Sequence, residues 1–344
     1  MAGRRRRILS LAVLGIALIV IIVLATSIGS VPIPPGTTFR ILADKLPFVE
    51  IDQTWQDAMA TIVLDVRLPR IILAGLVGAA LAIAGATYQG LFRNPLADPY
   101  LIGVAQGASL GAVIGFLLPT AWNLAGFGVI PIMAFAGAII ATLVVYLLSR
   151  VGKTMPVTTL ILAGVALSAL LGSVVSFLTI TSGEKIHGII FWMMGSFSGS
   201  EWAEVLTVLP YVAAGTAVII IFARPLNVMQ LDEEQAQQLG VNVERLKIVL
   251  LAAATLVTAA SVAFVGTIGF VGIIIPHTVR LIWGADHRFL LPLAVLTGAV
   301  FMIITDLIAR TVMAPAEIPI GVITAICGAP FFLYLLRRRK KAIF

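Results

Sequence analysis

Apolar segments, each about the length that crosses a lipid bilayer, follow one another along almost the whole chain. A membrane-spanning helix needs roughly 20 consecutive apolar residues. We expect ten such helices, at residues 8–28, 70–91, 99–118, 128–149, 158–180, 203–223, 246–265, 268–284, 290–312 and 318–336. The sequence therefore predicts an all-α polytopic membrane protein whose residues 1–344 form one transmembrane domain.

The composition excludes several other classes of protein. The chain is 60% hydrophobic and only 11% charged, whereas soluble domains carry about 25% charged residues. The net charge of +7 does not indicate nucleic-acid binding, because the basic residues cluster at helix ends, next to membrane lipid. The single cysteine, Cys327, lies in an apolar segment, and neither it nor the three dispersed histidines give metal-ligand spacing.

The distribution of basic residues predicts the topology. With the N-terminus inside and ten crossings, the cytoplasmic side collects seventeen lysines and arginines, including Arg4 to Arg7 and the tail from Arg337 to Lys341, while the outer side collects six. Cytoplasmic loops carry such an excess of Lys and Arg. We therefore expect a multi-pass inner (plasma) membrane protein with both termini in the cytoplasm, whose first helix is too long for a signal-peptide core.

Small residues recur every fourth position in two helices. The third helix carries Gly103, Gly107, Gly111 and Gly115, and the second carries a similar alanine and glycine stripe. Helices in lipid associate through close van der Waals contact, which small residues permit. We interpret the stripes as tight packing rather than as a sliding or path-lining surface.

Charged residues inside the predicted helices are few. Asp306 and Arg310 are four residues apart and could pair, but they lie near the outer interface with Arg70, where side chains can extend toward water. No acidic residue is placed convincingly at the membrane midplane, which weakens the reading as an ion-coupled carrier. Gly152-Lys153-Thr154 lacks the earlier glycine of a phosphate-binding loop, so we expect no ATP binding by this chain.

The longest cytoplasmic loop, residues 226–247, contains a predicted short helix at about 231–240. Asp232 suits the N-cap, Gln235 would complete a capping box, and Gly240 suits the C-terminal stop. Leu231, Ala236 and Leu239 give this helix a modest apolar side. A soluble partner could hold it, or it could be an ordinary interfacial helix; physical arguments alone favour neither.

Several motifs together resemble the FecCD-type (type II) permease family of iron-chelate, haem and cobalamin ABC importers. They run in the family's order from about residue 60 to the C-terminus. They read RLPR (67–70), GAALAIAGATYQGLFRNPLADP (78–99), LAGVALSALLGS (162–173), WMMGSFSG (192–199), LDEEQAQQLGV (231–241), GTIGFVGIIIPHTVR (266–280) and EIPIGVITAICGAPFFLYLL (317–336).

The resemblance implies partners and a mechanism. Two permease copies, expected as a homodimer, would surround a central path and move cargo by alternating access. Two cytoplasmic ATPase subunits would bind ATP and Mg, so this chain would bind no cofactor and would not be an enzyme. An extracytoplasmic binding protein would deliver the substrate. The helix that resembles the ATPase-coupling element contributes Leu231, Asp232, Glu233, Glu234, Ala236, Leu239 and Gly240; relatives often have glycine where this chain has Asp232.

The resemblance also implies roles for three other groups of residues. Arg67, Arg70 and Arg310 match arginines that meet carboxylates of the binding protein, a pairing that the guanidinium geometry favours; the alternative is extension toward outer head groups. The segments that resemble the cytoplasmic gate contain Asn94, Pro95, Leu96, Thr158 and Thr159, and Pro95 restricts Asn94 to an extended shape. The segment that resembles the entrance contains Trp192, Met193, Met194 and Gly195.

Two other functions compete with the importer permease. A secondary active transporter would need midplane acids and no ATPase, and a membrane-embedded enzyme would need clustered histidines or acids at one depth. The importer explains the charge distribution, the short inner helix and the motif series. The cargo stays open among ferric siderophore, haem and cobalamin, with a slight preference for an iron chelate because that group is the largest in the family.

Overall fold

The computed structural model describes residues 2–47, 49, 51–118, 123–124 and 127–340. Lys341, counted above with the basic tail, lies outside them. The described residues form the helices α1 Ala2–Ser27, α2 Pro35–Asp44, α3 Asp57–Thr61, α4 Leu68–Leu91, α5 Val104–Leu117, α6 Val129–Ser149, α7 Val157–Ile180, α8 Ile186–Met193, α9 Trp202–Ile221, α10 Ala223–Val228, α11 Glu233–Gln238, α12 Val243–Val265, α13 Val271–Trp283, α14 His287–Thr311 and α15 Ile320–Lys340.

Shorter elements connect these helices. A π-helical turn, Ile62–Arg67, joins α3 to α4, and 3₁₀ turns cover Pro99–Ile102 and Gly183–Lys185. Strands β1 Asn123–Leu124 and β2 Phe127–Gly128 pair antiparallel before α6.

The predicted membrane spans correspond to helices in the described part of the chain. Seven stretches are long and apolar enough to cross a membrane, namely Arg5–Ser27, Asp57–Leu91, Val129–Ser149, Val157–Ile180, Trp202–Ile221, Val243–Val265 and His287–Thr311. Three shorter apolar helices, Val104–Leu117, Val271–Trp283 and Ile320–Leu333, fall at the other predicted spans. The all-α polytopic fold with about ten spans is confirmed.

Two of the shorter spans start later than predicted. The third predicted span, 99–118, begins as the 3₁₀ turn, and Gly103 (φ 87°) separates that turn from α5. The eighth, predicted from residue 268, begins at Val271, because its N-cap Phe270 has a left-handed backbone with a φ angle of 70°. A left-handed residue cannot continue a right-handed helix, so each helix starts after it.

Helix α4 is the central helix of the bundle. Its membrane-spanning window is 89% buried, and it packs against α9, α12, α13 and α14. Gly78 faces the backbone of Gly298 in α14, and Gly85 faces the backbone of Gly272 in α13, so a Cβ at either glycine would overlap the facing carbonyl. Gly107 and Gly111 approach α6 in the same way. The small residues therefore permit close packing, as predicted.

The peripheral helices α1 and α7 are mostly exposed. Only 6% of the α1 window and 17% of the α7 window is buried. Large apolar side chains such as Leu162, Phe177 and Ile180 of α7 point away from the described chain. Lipid tails solvate such side chains at no cost, so these faces suit contact with the bilayer or with another membrane subunit.

Candidate functional site

Helix α11 lies in the longest loop of the predicted cytoplasmic end. The Asp232 carboxylate accepts a hydrogen bond of 2.8 Å from the Glu233 amide, which confirms the N-cap. This carboxylate also lies 3.7 Å from Arg93. In the described structure it accepts a hydrogen bond from the first amide of the helix, whereas a capping box requires the third. The capping box predicted with Gln235 is therefore not formed. Gly240, at φ 84°, ends the helix as predicted.

The apolar side of α11 is divided between the bundle and the surface. Ala236 is buried against the bundle. Leu239 is 64% exposed and Leu231 46% exposed, although both are large and apolar. A short helix that presents leucines outward at a predicted cytoplasmic face can be contacted by a second protein.

A cavity beside α11 is bordered by Thr158 of one predicted gate segment and by Arg93, the residue that precedes the other segment. Arg93 has a left-handed backbone (φ 50°), and the Asn94 side chain accepts from the Leu96 amide at 3.0 Å, so Asn94-Pro95-Leu96 forms the expected structured turn. Thr158 and Thr159 lie in the first turn of α7. A polar cavity of about 510 Å³ is lined by Arg93, Thr158, Glu233, Gln237 and others.

Lys247 is the charged residue of this end whose role was missed from the sequence. Its side chain is only 1% exposed, and its ammonium donates to Glu233 at 2.9 Å, to Glu244 at 3.1 Å and to the Met155 carbonyl at 3.1 Å. The charge distribution of the sequence predicts Lys247 only as one of the seventeen cytoplasmic basic residues. The local signal was the spacing of Glu244 and Lys247, which are three residues apart in α12.

Two carboxyl groups in the loops of this end have shifted pKa values. Burial raises the pKa of Asp98 to about 6, although the hydrogen bond from the Tyr100 amide opposes the shift. Asp286 shows the reverse, because hydrogen bonds from Arg288 and then Asn227 hold the pKa of its carboxyl well below its usual range.

The predicted entrance segment connects α8 to α15. The Met194 carbonyl accepts from the Gly321 amide at 2.9 Å, and the Gly195 carbonyl accepts from the Ile320 amide at 3.0 Å. Met193 and Met194 also line an apolar cavity of about 810 Å³ with residues of α15 and of the loop before α13. Trp192 lies in the last turn of α8. This segment therefore fixes the start of α15 beside a large apolar space.

The three predicted docking arginines lie together at the predicted outer end. Arg67 donates to the carbonyls of Thr26 and Ser27 at 2.9 and 3.1 Å. Arg70 binds Asp306 at 2.8 Å and Glu317 at 2.7 Å. Arg67, Arg70 and Arg310 line a polar cavity of about 590 Å³, together with Asp65, Glu201 and Glu317.

Asp306 is the centre of this arginine cluster. It is fully buried, and it lies 2.8 Å from Arg70 and 3.6 Å from Arg310. The predicted pair of Asp306 and Arg310 is thus confirmed. The guanidinium groups of these arginines bind atoms of this chain, and extension toward lipid head groups stays the alternative. Their docking role stays a prediction.

Metal binding finds no support among the described residues, in which no group of three or more His, Cys, Asp and Glu side chains could hold a metal ion. The ring of His277 packs edge-on against Phe331, with a centroid distance of 5.9 Å. His277 thus makes a packing contact with an aromatic side chain of α15.

Comparison with known proteins identifies the family that has this architecture. The chain matches the model of the FecCD transport family over residues 17–338. It is 43% identical to the cobalamin import system permease protein of Halobacterium salinarum, over 96% of both chains. It is 40% identical to the hemin transport system permease protein of Yersinia pestis, over 83% of this chain and 86% of that one.

Solved structures of transporters also resemble this chain in fold. A transporter described as of the metal-chelate ABC type, in an inward-facing conformation, superposes with a TM-score of 0.81 at 34% identity and covers 95% of this chain and 98% of that chain. PsaBC from Streptococcus pneumoniae has a TM-score of 0.57 at 19% identity, over 78% of this chain and 90% of that one, and shares the fold. The chain belongs to the FecCD transport family and is a permease of the ABC-importer type.

Proposed function

We propose that this chain works as a homodimeric permease with two cytoplasmic ATPase subunits and an extracytoplasmic binding protein, and that it imports a metal chelate or cobalamin. The observation that carries the ATPase partnership is α11, a capped helix with Leu239 exposed at the predicted cytoplasmic end. The ion pair between Glu233 of this helix and the buried Lys247 of α12 holds the helix on the bundle.

The gate and entrance assignments rest on the resemblance to the family's motifs. Asn94, Pro95 and Leu96 would close the path at the cytoplasmic end together with Thr158 and Thr159, since Thr158 and Arg93, the residue before Asn94, border one cavity. The segment from Trp192 to Gly195 would border the entrance. Cargo would meet a largely apolar wall, so the binding protein would supply most of the specificity.

The arginine cluster would receive the binding protein. Arg70 already carries two carboxylates, and of these Glu317 is 31% exposed whereas Asp306 is enclosed. An incoming carboxylate would therefore compete with Glu317 and leave Asp306 in place. Guanidinium groups can bind two carboxylates through parallel hydrogen bonds, which suits such an exchange.

The cargo class follows from the relatives. Permeases similar to this chain are named for cobalamin, hemin and ferric citrate. We propose a cargo of that class, a metal ion enclosed by an organic ligand. A large, mostly apolar cavity beside Met193 and Met194 accommodates such a bulky compound better than a bare ion, which needs polar ligands.

Uptake by proteoliposomes tests this function. The permease is reconstituted with its co-purified ATPase, ATP is enclosed, and cobalamin, haemin and ferrichrome are each offered with a candidate binding protein. We expect uptake of one of them that requires both ATP and the binding protein. Uptake driven by an ion gradient without ATP would overturn the proposal and support a secondary transporter.

A further inference from the structure

Lys247 joins three separate parts of the chain. Its three ammonium protons meet three acceptors, on Glu233 of α11, on Glu244 of α12 and on the carbonyl of Met155 in the loop before α7. A lysine ammonium has three donors, so none remains unused. We call these four residues the Lys247 hub.

The hub holds the backbone of Met155 on both sides. The Met155 carbonyl accepts from Lys247, and the Met155 amide donates to the other carboxylate oxygen of Glu244 at 2.9 Å. Met155 is 2% exposed. Its buried backbone groups are thus satisfied by side chains of α12, and loss of either side chain would leave one unpaired.

Met155 stands at the start of α7. Pro156 is the N-cap of that helix, and Thr158 and Thr159 follow in its first turn. Helix α7 packs on one side against α5 and α6, while most of its surface is exposed. The hub holds the backbone immediately before the end of α7 that carries the proposed gate residues.

The same ammonium fastens α11. Glu233 reaches it from the first turn of that helix, and α11 makes few other contacts with the bundle besides the buried Ala236. A buried cation between two carboxylates resists separation, since an unpaired charge in this environment is costly. A displacement of α11 thus pulls on the same group that holds Met155.

We infer that Lys247 is a positioning residue that transmits movement of α11 to the cytoplasmic start of α7, and so couples the ATPase to the gate. This inference rests on the proposed function, in which an ATPase contacts α11. It assigns to one buried side chain the step between ATPase movement and gate opening.

Two variants and a matched control test the inference in the complete reconstituted importer. Lys247→Met removes the ammonium while keeping a long, buried apolar side chain. Glu233→Gln removes only the charge that α11 contributes to the Lys247 hub. Arg245→Met is the control, because it removes an exposed cation two residues away on the same helix. Uptake of whichever of cobalamin, haemin or ferrichrome the wild type transports is measured per ATP hydrolysed.

We expect Lys247→Met to lower uptake per ATP by about tenfold, equivalent to about 1.4 kcal/mol, with unchanged ATPase co-purification. Glu233→Gln should lower it less, because two acceptors remain, and Arg245→Met should match the wild type. An unchanged ratio in Lys247→Met, even with less folded protein, would show a merely structural role and overturn the inference. If Lys247→Met does not fold, an unchanged ratio in Glu233→Gln would overturn it equally.

Hydrogen exchange separates this inference from the proposed function. In the purified permease, Lys247→Met should speed amide exchange in both 155–160 and 233–240, whereas Arg245→Met should not. If the wild type shows no ATP-dependent uptake, the proposed function fails, and the exchange data still decide the link. Faster exchange confined to 233–240 would disprove the connection between α11 and α7.

Discussion

The buried charges of Asp306 and Lys247 are both surrounded by partners from this chain. Asp306 is enclosed by two arginines, and Lys247 by two glutamates and a carbonyl. An unpaired ion in a low-dielectric interior is strongly destabilising. Each cluster should therefore tolerate loss of an exposed member better than loss of its buried centre.

Replacing Asp306 with asparagine tests this at the outer end. The substitution keeps the shape but leaves Arg70 with Glu317 alone and Arg310 without its carboxylate. We expect the free energy of unfolding to fall by about 3 kcal/mol, measured as a lower thermal midpoint in detergent. Asp52→Asn, at an exposed outer position, is the control. Equal midpoints for the two variants would contradict a stabilising network.

The buried carboxyl group of Asp98 should make the stability of the folded protein depend on pH. Its pKa lies near 6 in the folded protein, above its usual value of 3.8, because burial favours the neutral acid. The folded state therefore binds the proton more tightly, and this stabilisation is present below pH 4 and is lost as pH rises through 6. Asp98→Asn should remove it, so the thermal midpoint of the variant relative to wild type should rise between pH 4.5 and pH 7. A constant difference would refute the shifted pKa.

At the scale of elements, close helix contacts depend on single glycines. Gly85→Ala would place a methyl group against the Gly272 carbonyl of α13, and the helices would have to separate. We expect a loss of about 2 kcal/mol, typical of overpacking, visible in the thermal midpoint. Gly172→Ala on α7 is the matched control, because the added Cβ would come no nearer than 3.6 Å to the atoms around it. Equal effects of the two changes would contradict the packing argument.

Helix α11 offers a second test at this scale. Leu239→Asp places a charge on its exposed apolar side while keeping Gly240, whose positive φ other residues would strain. We expect co-purification of the ATPase to fall by about tenfold, as for a residue at the centre of an interface. Leu46→Asp, an equally exposed leucine in the predicted outer loop, should have no effect. Unchanged co-purification of the ATPase with Leu239→Asp would contradict the docking role of α11.

At the scale of the whole molecule, the orientation in the membrane can be tested with one cysteine at a time. Cys327 is the only cysteine, so Cys327→Ser gives a background without thiols. Lys153→Cys and Glu184→Cys then mark exposed loops at the two ends. With both termini in the cytoplasm, a membrane-impermeant maleimide should label intact cells only at position 184. Labelling at position 153 instead would invert the topology.

The spans, the short helix and the gate turn could be predicted because their signals are local. Apolar runs mark helices, Asp232 and Gly240 mark the ends of α11, and Pro95 marks a turn, all within a few residues. The capping box failed because the Asp232 carboxylate lies near Arg93, more than a hundred residues earlier in the chain. Local sequence patterns do not show which distant residues a side chain will meet in the fold.

The sequence by itself determined that this protein is a helical membrane protein, because lipid requires long apolar helices, and its motif series identified the permease family. Only the tertiary structure decided what the charged side chains do. Arg70 finds its carboxylates 236 and 247 residues away, and Lys247 reaches a carbonyl 92 residues away. Ion pairs of this kind form where helices distant in sequence meet, so their partners depend on how the whole bundle packs.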